Sequence, residues 1–456
     1  MSSQDDKRVK DAVDRALKGA GLSRRDFLKL SSGGALLAGA AAGTGSLLHS
    51  PPARAVSTNA RIVIVGAGAA GLSCATRLAR ELDGADVILI DRRQDHYYQP
   101  GLTLVGTGVW QTEKLLDRNR RYVPSSVNWV HDMVIEYDPD NNRVVTETGQ
   151  VIEYDFLMVA TGVQVNYSVI EGMSENLIGH RGVGCVYDRP ELAERTWQAV
   201  DHFVNEGGIG LFTRPPGDMK CAGAPLKVTM LTESRMKERG TRDRAEMHYL
   251  PPGTSLFSQP HTEDFLRRNL PQRDIHIHWD HPLKAIDPDR KTATFKTPLG
   301  DETLDYDFIH VVPPMSAPDA LRYSPLAAQE APFRGWLEVD RFTLQHTRYP
   351  NVFGAGDVNG VPVGKTAASV KAQVPVAVEN MIQIIQGATP TAAYDGYTSC
   401  PLITELGQAI LVEFDYDLNM KPSFPFISPY QEHWVPWVMK DRLLLAAYKA
   451  MLRGRI

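Results

Sequence analysis

The sequence predicts an α/β protein of two Rossmann-like dinucleotide-binding domains, the first discontinuous, with a C-terminal amphipathic region suited to a membrane surface. Three observations carry this. A glycine fingerprint (Gly66, Gly68, Gly71) sits between an apolar run and a helical pattern. Two strand-ending turns of small residues, at Thr161-Gly162 and at Gly356-Asp357, lie far apart in the chain. An aromatic and aliphatic tail with interleaved basic residues closes it.

The chain has 456 residues, enough for two or three domains. Hydrophobic content of 43% and charged content of 23% are those of a globular protein with a large core. A net charge of −5 gives no basic surplus, so a nucleic-acid partner is not expected. No uninterrupted apolar run reaches about 18 residues, so no spanning helix is expected in the mature protein.

Residues 1–55 read as a leader. Ser23-Arg24-Arg25-Asp26-Phe27-Leu28-Lys29 has a twin-arginine signature, followed by a weakly apolar Gly/Ala-rich stretch and by Ala53-Arg54-Ala55. The expectation is export of a folded, cofactor-loaded protein by the twin-arginine machinery. Its location would be the periplasm, at the outer face of the cytoplasmic membrane.

Arg61–Val65 is a short apolar run suited to a strand buried on both faces. Gly66-Ala67-Gly68-Ala69-Ala70-Gly71 follows, then a helical pattern, then a second strand ending at Asp91. This is a βαβ unit whose glycines let a pyrophosphate approach the helix N-terminus, with Asp91 placed for a ribose hydroxyl. Thr161, Gly162, Gly356 and Asp357 end two later strands and favour FAD over NAD, with Asp357 able to accept from the ribityl chain. Gly360 to Thr366 has one residue too few between its glycines for a phosphate-binding P-loop. It reads instead as the opening of a helix that places Lys365 and Thr366 by the isoalloxazine. The expected domains are an FAD-binding part over 57–165 and 310–390, a second Rossmann-like domain over 166–309, and a C-terminal region over 391–456.

The inserted domain lacks a second fingerprint. Glu206 to Phe212 does not make one, and Pro215-Pro216 stands where a helix should open. NADH use is therefore not expected.

Cys221 (KCAGAP) and Cys400 (GYTSCP) are the notable thiols. Cysteine usage alone leaves a stabilising disulfide as open as a redox pair. A flavin beside two thiols, however, can take two electrons from sulfur. Cys74 reads as a small core residue and Cys185 as a bystander. His276 and His278 alternate on one strand, and His131, His310 and Glu171 are candidate proton carriers without a placement. CxxC and HExxH spacings are absent, and no metal is expected. In the tail, Trp434, Trp437 and Leu443 to Leu445 alternate with Lys440, Arg442, Lys449, Arg453 and Arg455, as in an interfacial membrane helix.

Together these frames resemble the sulfide:quinone oxidoreductases, the branch with the mitochondrial enzyme above all. The resemblance rests on HYYQPGLTLVGTG (96–108), MKCAGAPLKV (219–228), VVPPMSAPD (311–319), QHTRYPNVFGAGD (345–357), KTAASV (365–370) and YDGYTSCPLI (394–403), with EFDY (413–416) and MLRG (451–454). It covers nearly all of 57–456. It implies FAD contacts at Gly66, Gly68, Ala69, Ala70, Gly71, Asp91, Gln99, Val134, Asp357, Lys365, Thr366, Ala367 and Ala368. Gln99 stands where other branches carry a cysteine that tethers FAD, so the FAD is expected to be non-covalent.

The resemblance further implies that Cys221 and Cys400 form the redox pair, with the persulfide at Cys400 and the flavin-facing thiolate at Cys221, aided by Lys220. Sulfide and a membrane quinone would be the substrates, with Phe424 and Phe426 at the quinone. A homo-oligomer is compatible with it. Two other readings stay open: the flavoprotein subunit of a flavocytochrome c-type sulfide dehydrogenase, and a non-catalytic flavin-binding sulfide or persulfide sensor or carrier.

Overall fold

The computed structural model describes residues 55–424 and 427–456. The leader and Phe426 lie outside the described residues. In chain order the main elements are β1 (Arg61–Val65), α1 (Ala69–Glu81), β2 (Asp86–Ile90), β3 (Asn128–Val130), β4 (Phe156–Val159), β5 (Val183–Gly184), α2 (Pro190–Glu206), β6 (Gly208–Thr213), α3 (Ala224–Arg239), β7 (Ala245–Leu250), α4 (Pro260–Gln272), β8 (Ile275–Ile277), β9 (Phe308–His310), β10 (Val352–Gly354), α5 (Ala367–Ile385), β11 (Thr398–Glu405), β12 (Gln408–Phe414) and α6 (Leu444–Leu452).

Two parallel five-stranded sheets form the frame. The first has the order β10-β4-β1-β2-β3 and the second β5-β9-β6-β7-β8. Strand β10 comes after the whole second sheet in sequence yet pairs beside β4. The chain therefore leaves the first sheet and returns to it. β1 shows why a parallel sheet forms, since Ile62, Val63, Ile64 and Val65 are all buried and cover both faces.

The turn from β1 into α1 depends on two glycines. Gly66 has φ +105°, a conformation L residues avoid. At Gly71 a Cβ would lie 1.7 Å from the Gly66 carbonyl oxygen, so only glycine lets α1 pack this closely on the turn. In the second sheet, β6 is followed by the loop 214–223 before α3 opens at Ala224. That loop carries Cys221.

The hairpin β11–β12 is antiparallel, with Cys400 opposite Val412 and Ser399 opposite Glu413. Side chains alternate across a strand, so Cys400 and Leu402 face one side while Ser399, Pro401, Leu411 and Glu413 face the other. The first side packs into the main core. On the second, Leu411 joins Phe424, Ile427 and Met439 in a separate apolar cluster.

The tail departs from the membrane-facing helix that the sequence suggests. Helix α6 docks on α1: Thr76 donates to the Leu452 carbonyl (2.9 Å), Arg77 to that of Ile456 (3.1 Å) and Arg80 to that of Gly454. Tyr448, Met451 and Leu452 are buried there. The basic fringe is also engaged internally. Lys440 is buried, Lys449 pairs with Asp117 (3.1 Å), Arg442 with Asp441 (2.7 Å), and Arg453 lies over the Tyr122 ring. Alternating charge and apolar residues thus reflect a helix packed on its own domain as well as they would an interfacial one. Among the described residues no helix is long and apolar enough to cross a membrane.

One buried ion pair fixes the hairpin against the second sheet. Arg273, after α4, meets Glu233 of α3 at 3.0 Å, with side-chain exposures of 8% and 0%. It also reaches Glu432 (3.2 Å) and Glu405 (3.8 Å), at the tail and the end of β11. Breaking such a pair leaves buried Glu233 with only the half-exposed Lys237 (2.5 Å) as counter-charge, so Arg273→Met is expected to cost roughly 3 kcal/mol. Chemical denaturation of the flavin-loaded protein checks this; a loss below about 1 kcal/mol would show that the pair does not hold the interface.

Candidate active site

A cavity of about 660 Å³ runs between the two sheets and the hairpin, a size within the range of ligand clefts. At one end it is lined by Gly66, Gly68, Ala69, Ala70 and Asp91, and further along by Gln99, Thr161, Gly162, Gly356, Asp357, Lys365, Thr366, Ala367 and Ala368. Cys221, Cys400 and Phe424 complete the set. Fold and spacing bring together in one cavity residues that lie hundreds of positions apart.

Two expected residues are not on its wall. Val134 is buried in the second core cluster with Tyr137 and Val144, and Gly71 serves the packing of α1 on its turn. Asp91 lines the cavity while its carboxylate also stitches the turn, accepting from the Ala67 and Arg93 amides at 2.7 Å each.

The cavity fits a flavin dinucleotide on several independent grounds. Helix α1 has no side-chain cap at Gly68, so its first amides point free into the space. A Cβ on Gly68 would project into the opening, meeting nothing nearer than Arg93 Nη2 at 4.0 Å. Asp357 Oδ1 and Thr161 Oγ1 are buried without a protein partner. Such atoms are seldom left so in a native protein, and a polar ligand would satisfy them. Helix α5 opens on the cavity, its N-cap Thr366 accepting from the Ser369 amide (3.1 Å).

Lys365 is placed differently from the expectation of a charge aimed at the ring. Its ammonium donates to the Asp357 and Asn359 carbonyls, each at 2.9 Å, and lies 3.6 Å from the Trp336 ring centroid. Burial brings its pKa down to about 8. Its carbonyl does the positional work, accepting from the Cys221 amide at 2.9 Å.

Cys221 has φ +49°, a left-handed conformation that costs a non-glycine residue roughly 1–2 kcal/mol. Its amide is held by Lys365, and its carbonyl accepts from the Ala224 amide (2.8 Å) and the Tyr187 hydroxyl (3.1 Å). That geometry turns the side chain toward Cys400, which β11 presents from the other side. Both are free thiols. Lys227, one turn into α3, places its ammonium 3.2 Å from Cys221 Sγ and 3.6 Å from Cys400 Sγ. Cys400 beside it, with Lys227 and Lys440, holds Cys221 well below the ordinary thiol range. The charge on Cys221 and burial push Cys400 well above it. The Lys227 ammonium between them thus favours loss of one proton from the pair.

Lys220, which the sequence suggested as the activating charge, donates instead to Gln99 Oε1 at 2.8 Å. Lys227 takes that place. The signal for it was a lysine inside the apolar run Ala224-Pro225-Leu226-Lys227-Val228, where a solvated face is not available. Lys440 also comes to the thiols, from a π-helical turn over Met439–Leu443, with its pKa lowered to about 7 by burial and by Lys227. Such turns are frequent at functional sites. Cys74 and Cys185 are buried, and burial outweighs nearby Arg77 and Lys220 and pushes each thiol up to about 12.

His96 lines the cavity, buried and held between Asn119 (2.8 Å) and the Tyr448 hydroxyl (2.7 Å), whereas the histidines singled out in the sequence lie elsewhere. His310 is fully buried with both ring nitrogens unpartnered and its pKa down to about 3, and it does not line the cavity. His278 Nε2 lies 2.9 Å from His248 Nδ1 at the far edge of the second sheet. His131 stacks on Trp129, and Glu171 joins the strand over 283–287.

Comparison with known proteins decides the family. The pattern of the pyridine nucleotide-disulphide oxidoreductases matches residues 60–193. A mitochondrial sulfide:quinone oxidoreductase of Dictyostelium discoideum is 36% identical over 397 residues, 87% of this chain and 86% of that protein. The mitochondrial sulfide:quinone oxidoreductase of Mus musculus is 36% identical over 411 residues, 89% of each. The chain belongs to the sulfide:quinone oxidoreductase family. The fold is also that of the sulfide:quinone oxidoreductase structure from Aquifex aeolicus, with TM-score 0.71 at 19% identity, covering 87% of this chain and 92% of that one. FAD is the cofactor that this family and this cavity share.

The same relatives correct the expected location. Both are mitochondrial proteins, which contradicts the periplasmic location expected from the leader. A leader is read by a receptor and not by the fold, and a basic segment before a Gly/Ala-rich stretch does not distinguish the two addresses.

Replacing Lys227 by Met removes the charge nearest the Cys221 sulfur, so the Cys221 pKa is expected to rise. Iodoacetamide labelling of Cys221, followed by mass spectrometry, should then slow about tenfold near pH 6.5 and shift to higher pH. An unchanged profile would remove Lys227 from the thiolate's support.

Proposed function

We propose that the protein oxidises sulfide through Cys221 and Cys400 and passes the electrons by way of FAD to a quinone. The observation that carries this reading is the Lys227-bridged thiol pair on the wall of the flavin cavity. When bound, FAD supplies a two-electron acceptor beside Cys221.

The cycle starts from a bridged Cys221–Cys400 pair. Hydrosulfide attacks the Cys400 sulfur, forming an S–S bond there and releasing Cys221 as a thiolate. Lys227 and Lys440 stabilise that leaving thiolate, and a low leaving-group pKa speeds the exchange. A nucleophilic acceptor then removes the outer sulfur from Cys400. Two thiolates remain, and closing the bond between them releases two electrons to the cofactor. The left-handed backbone at Cys221 keeps its sulfur aimed at both partners throughout.

The quinone fits the opposite face of the hairpin. Leu411, Phe424 and Met439 make an apolar wall there that is continuous with the cavity. Cys400 points to the other face of the same strand. Val435 and Leu443 are only partly buried around this wall, which supports a membrane-side approach for a lipid-soluble substrate. The chain would then be split as an FAD part over 57–165 and 310–390, a thiol-bearing insert over 166–309 and a quinone-side region over 391–456.

Anaerobic titration of the FAD-loaded protein tests the reading. Sulfide should bleach the flavin and a short-chain quinone should restore it, whereas bleaching by NADH alone would contradict the reading. Cys221→Ser and Cys400→Ser should each keep FAD yet lose about 10³-fold or more in turnover, and the double variant should lose no more than either, because the two sulfurs act as a unit. Additive losses would mean separate roles.

A further inference from the structure

Glu413 is a carboxylate at the floor of the cavity that the chemistry above does not use. It is 3% exposed, on β12 opposite Ser399, and faces the apolar wall's side of the hairpin. Oε1 accepts from the Tyr397 hydroxyl (2.5 Å) and the Ser423 hydroxyl (2.7 Å), and Oε2 from the Ser423 amide (2.8 Å). Lys371, on the first turns of α5, lies close enough for the two charges to interact, and burial brings its pKa down to about 8. Further polar groups stand toward the mouth of the cavity. The Tyr397 amide donates to Asp395 (3.0 Å), and Lys421 pairs with Asp415 (3.3 Å) and Asp395 (3.7 Å). Asp395 and Lys421 are exposed, and Asp395, Tyr397, Glu413, Lys421 and Ser423 all line the cavity.

A carboxylate that only stapled the 421–424 loop would need no connection to both solvent and an apolar substrate wall. Turning quinone into quinol takes two electrons and two protons. The reduced cofactor supplies both electrons and one hydrogen, and the remaining proton has to reach a quinone oxygen across a buried, apolar surface. We propose that Glu413 relays this proton. Its O–H breaks as the quinol O–H forms, and the carboxylate regains a proton through the Tyr397 hydroxyl from water in the cavity, whose mouth carries Asp395 and Lys421. The inference rests on the quinone lying against Leu411 and Phe424.

Glu413→Gln keeps the shape and most hydrogen bonds but cannot carry a proton. In stopped-flow experiments its sulfide-driven bleaching should match the wild type. Its re-oxidation by a short-chain quinone should slow by about 10²-fold or more, the range of a lost general acid. Re-oxidation by ferricyanide, which accepts electrons without protons, should stay at the wild-type rate. Equal slowing with both oxidants would show a structural role and overturn the proposal, as would no slowing with quinone. Should Glu413→Gln fail to retain flavin, Tyr397→Phe leaves the carboxylate and its Ser423 donors in place. It is expected to slow the quinone step several-fold and not the ferricyanide step; equal rates with quinone would overturn the proposal. Absence of sulfide bleaching in the wild type would instead remove the functional reading itself.

Discussion

The ammonium of Lys227 lies within 3.6 Å of both sulfurs, with Lys227 and Cys400 buried and Cys221 partly exposed to the cavity. A lone cation there would cost several kcal/mol, and a lone thiolate a similar amount. Each makes the other tolerable. Burial of the ammonium strengthens their attraction. The left-handed Cys221, the loop before α3 and the Arg273 ion pairs that hold the hairpin all serve to keep these three groups in register.

The hairpin divides the labour. Because side chains alternate along β11, one strand presents Cys400 to the thiol chamber and Ser399 and Pro401 to the other face. β12 adds Leu411 and Glu413 to that second face. A charged, sulfur-handling chamber and an apolar wall thus sit a strand's thickness apart along one cavity. Electrons can cross through the cofactor while the two substrates need never meet. Partly buried Val435 and Leu443 beside the apolar wall give the tail a place at that face even though α6 itself is docked on α1.

Much of the frame was legible in the sequence. The βαβ fingerprint gave the first strand, helix and acid in register, since its glycines answer steric demands that no other residue meets. The second sheet without a fingerprint and the two cysteine frames were equally readable. What sequence could not provide was which lysine meets the sulfurs. Lys220 and Lys227 are both near Cys221 in the chain, and only the helical turn from Ala224 decides between them. Lys440 looked like part of a basic membrane fringe because its burial depends on a π-helical turn with no local signature. Glu413 stood in a recognisable EFDY frame, but its three donors come from Tyr397 and Ser423, whose convergence is a matter of hairpin register and loop path. Val134 shows the reverse failure, a position carried over from relatives whose side chain serves the core.

A crystal structure of the FAD-loaded protein with a short-chain quinone would show whether the hairpin separates the two substrates. The quinone is predicted to pack against Leu411, Phe424 and Met439 with an oxygen toward Glu413, and with the hairpin and cofactor between it and both cysteines. A quinone seated against Cys221 and Lys227 would contradict the account.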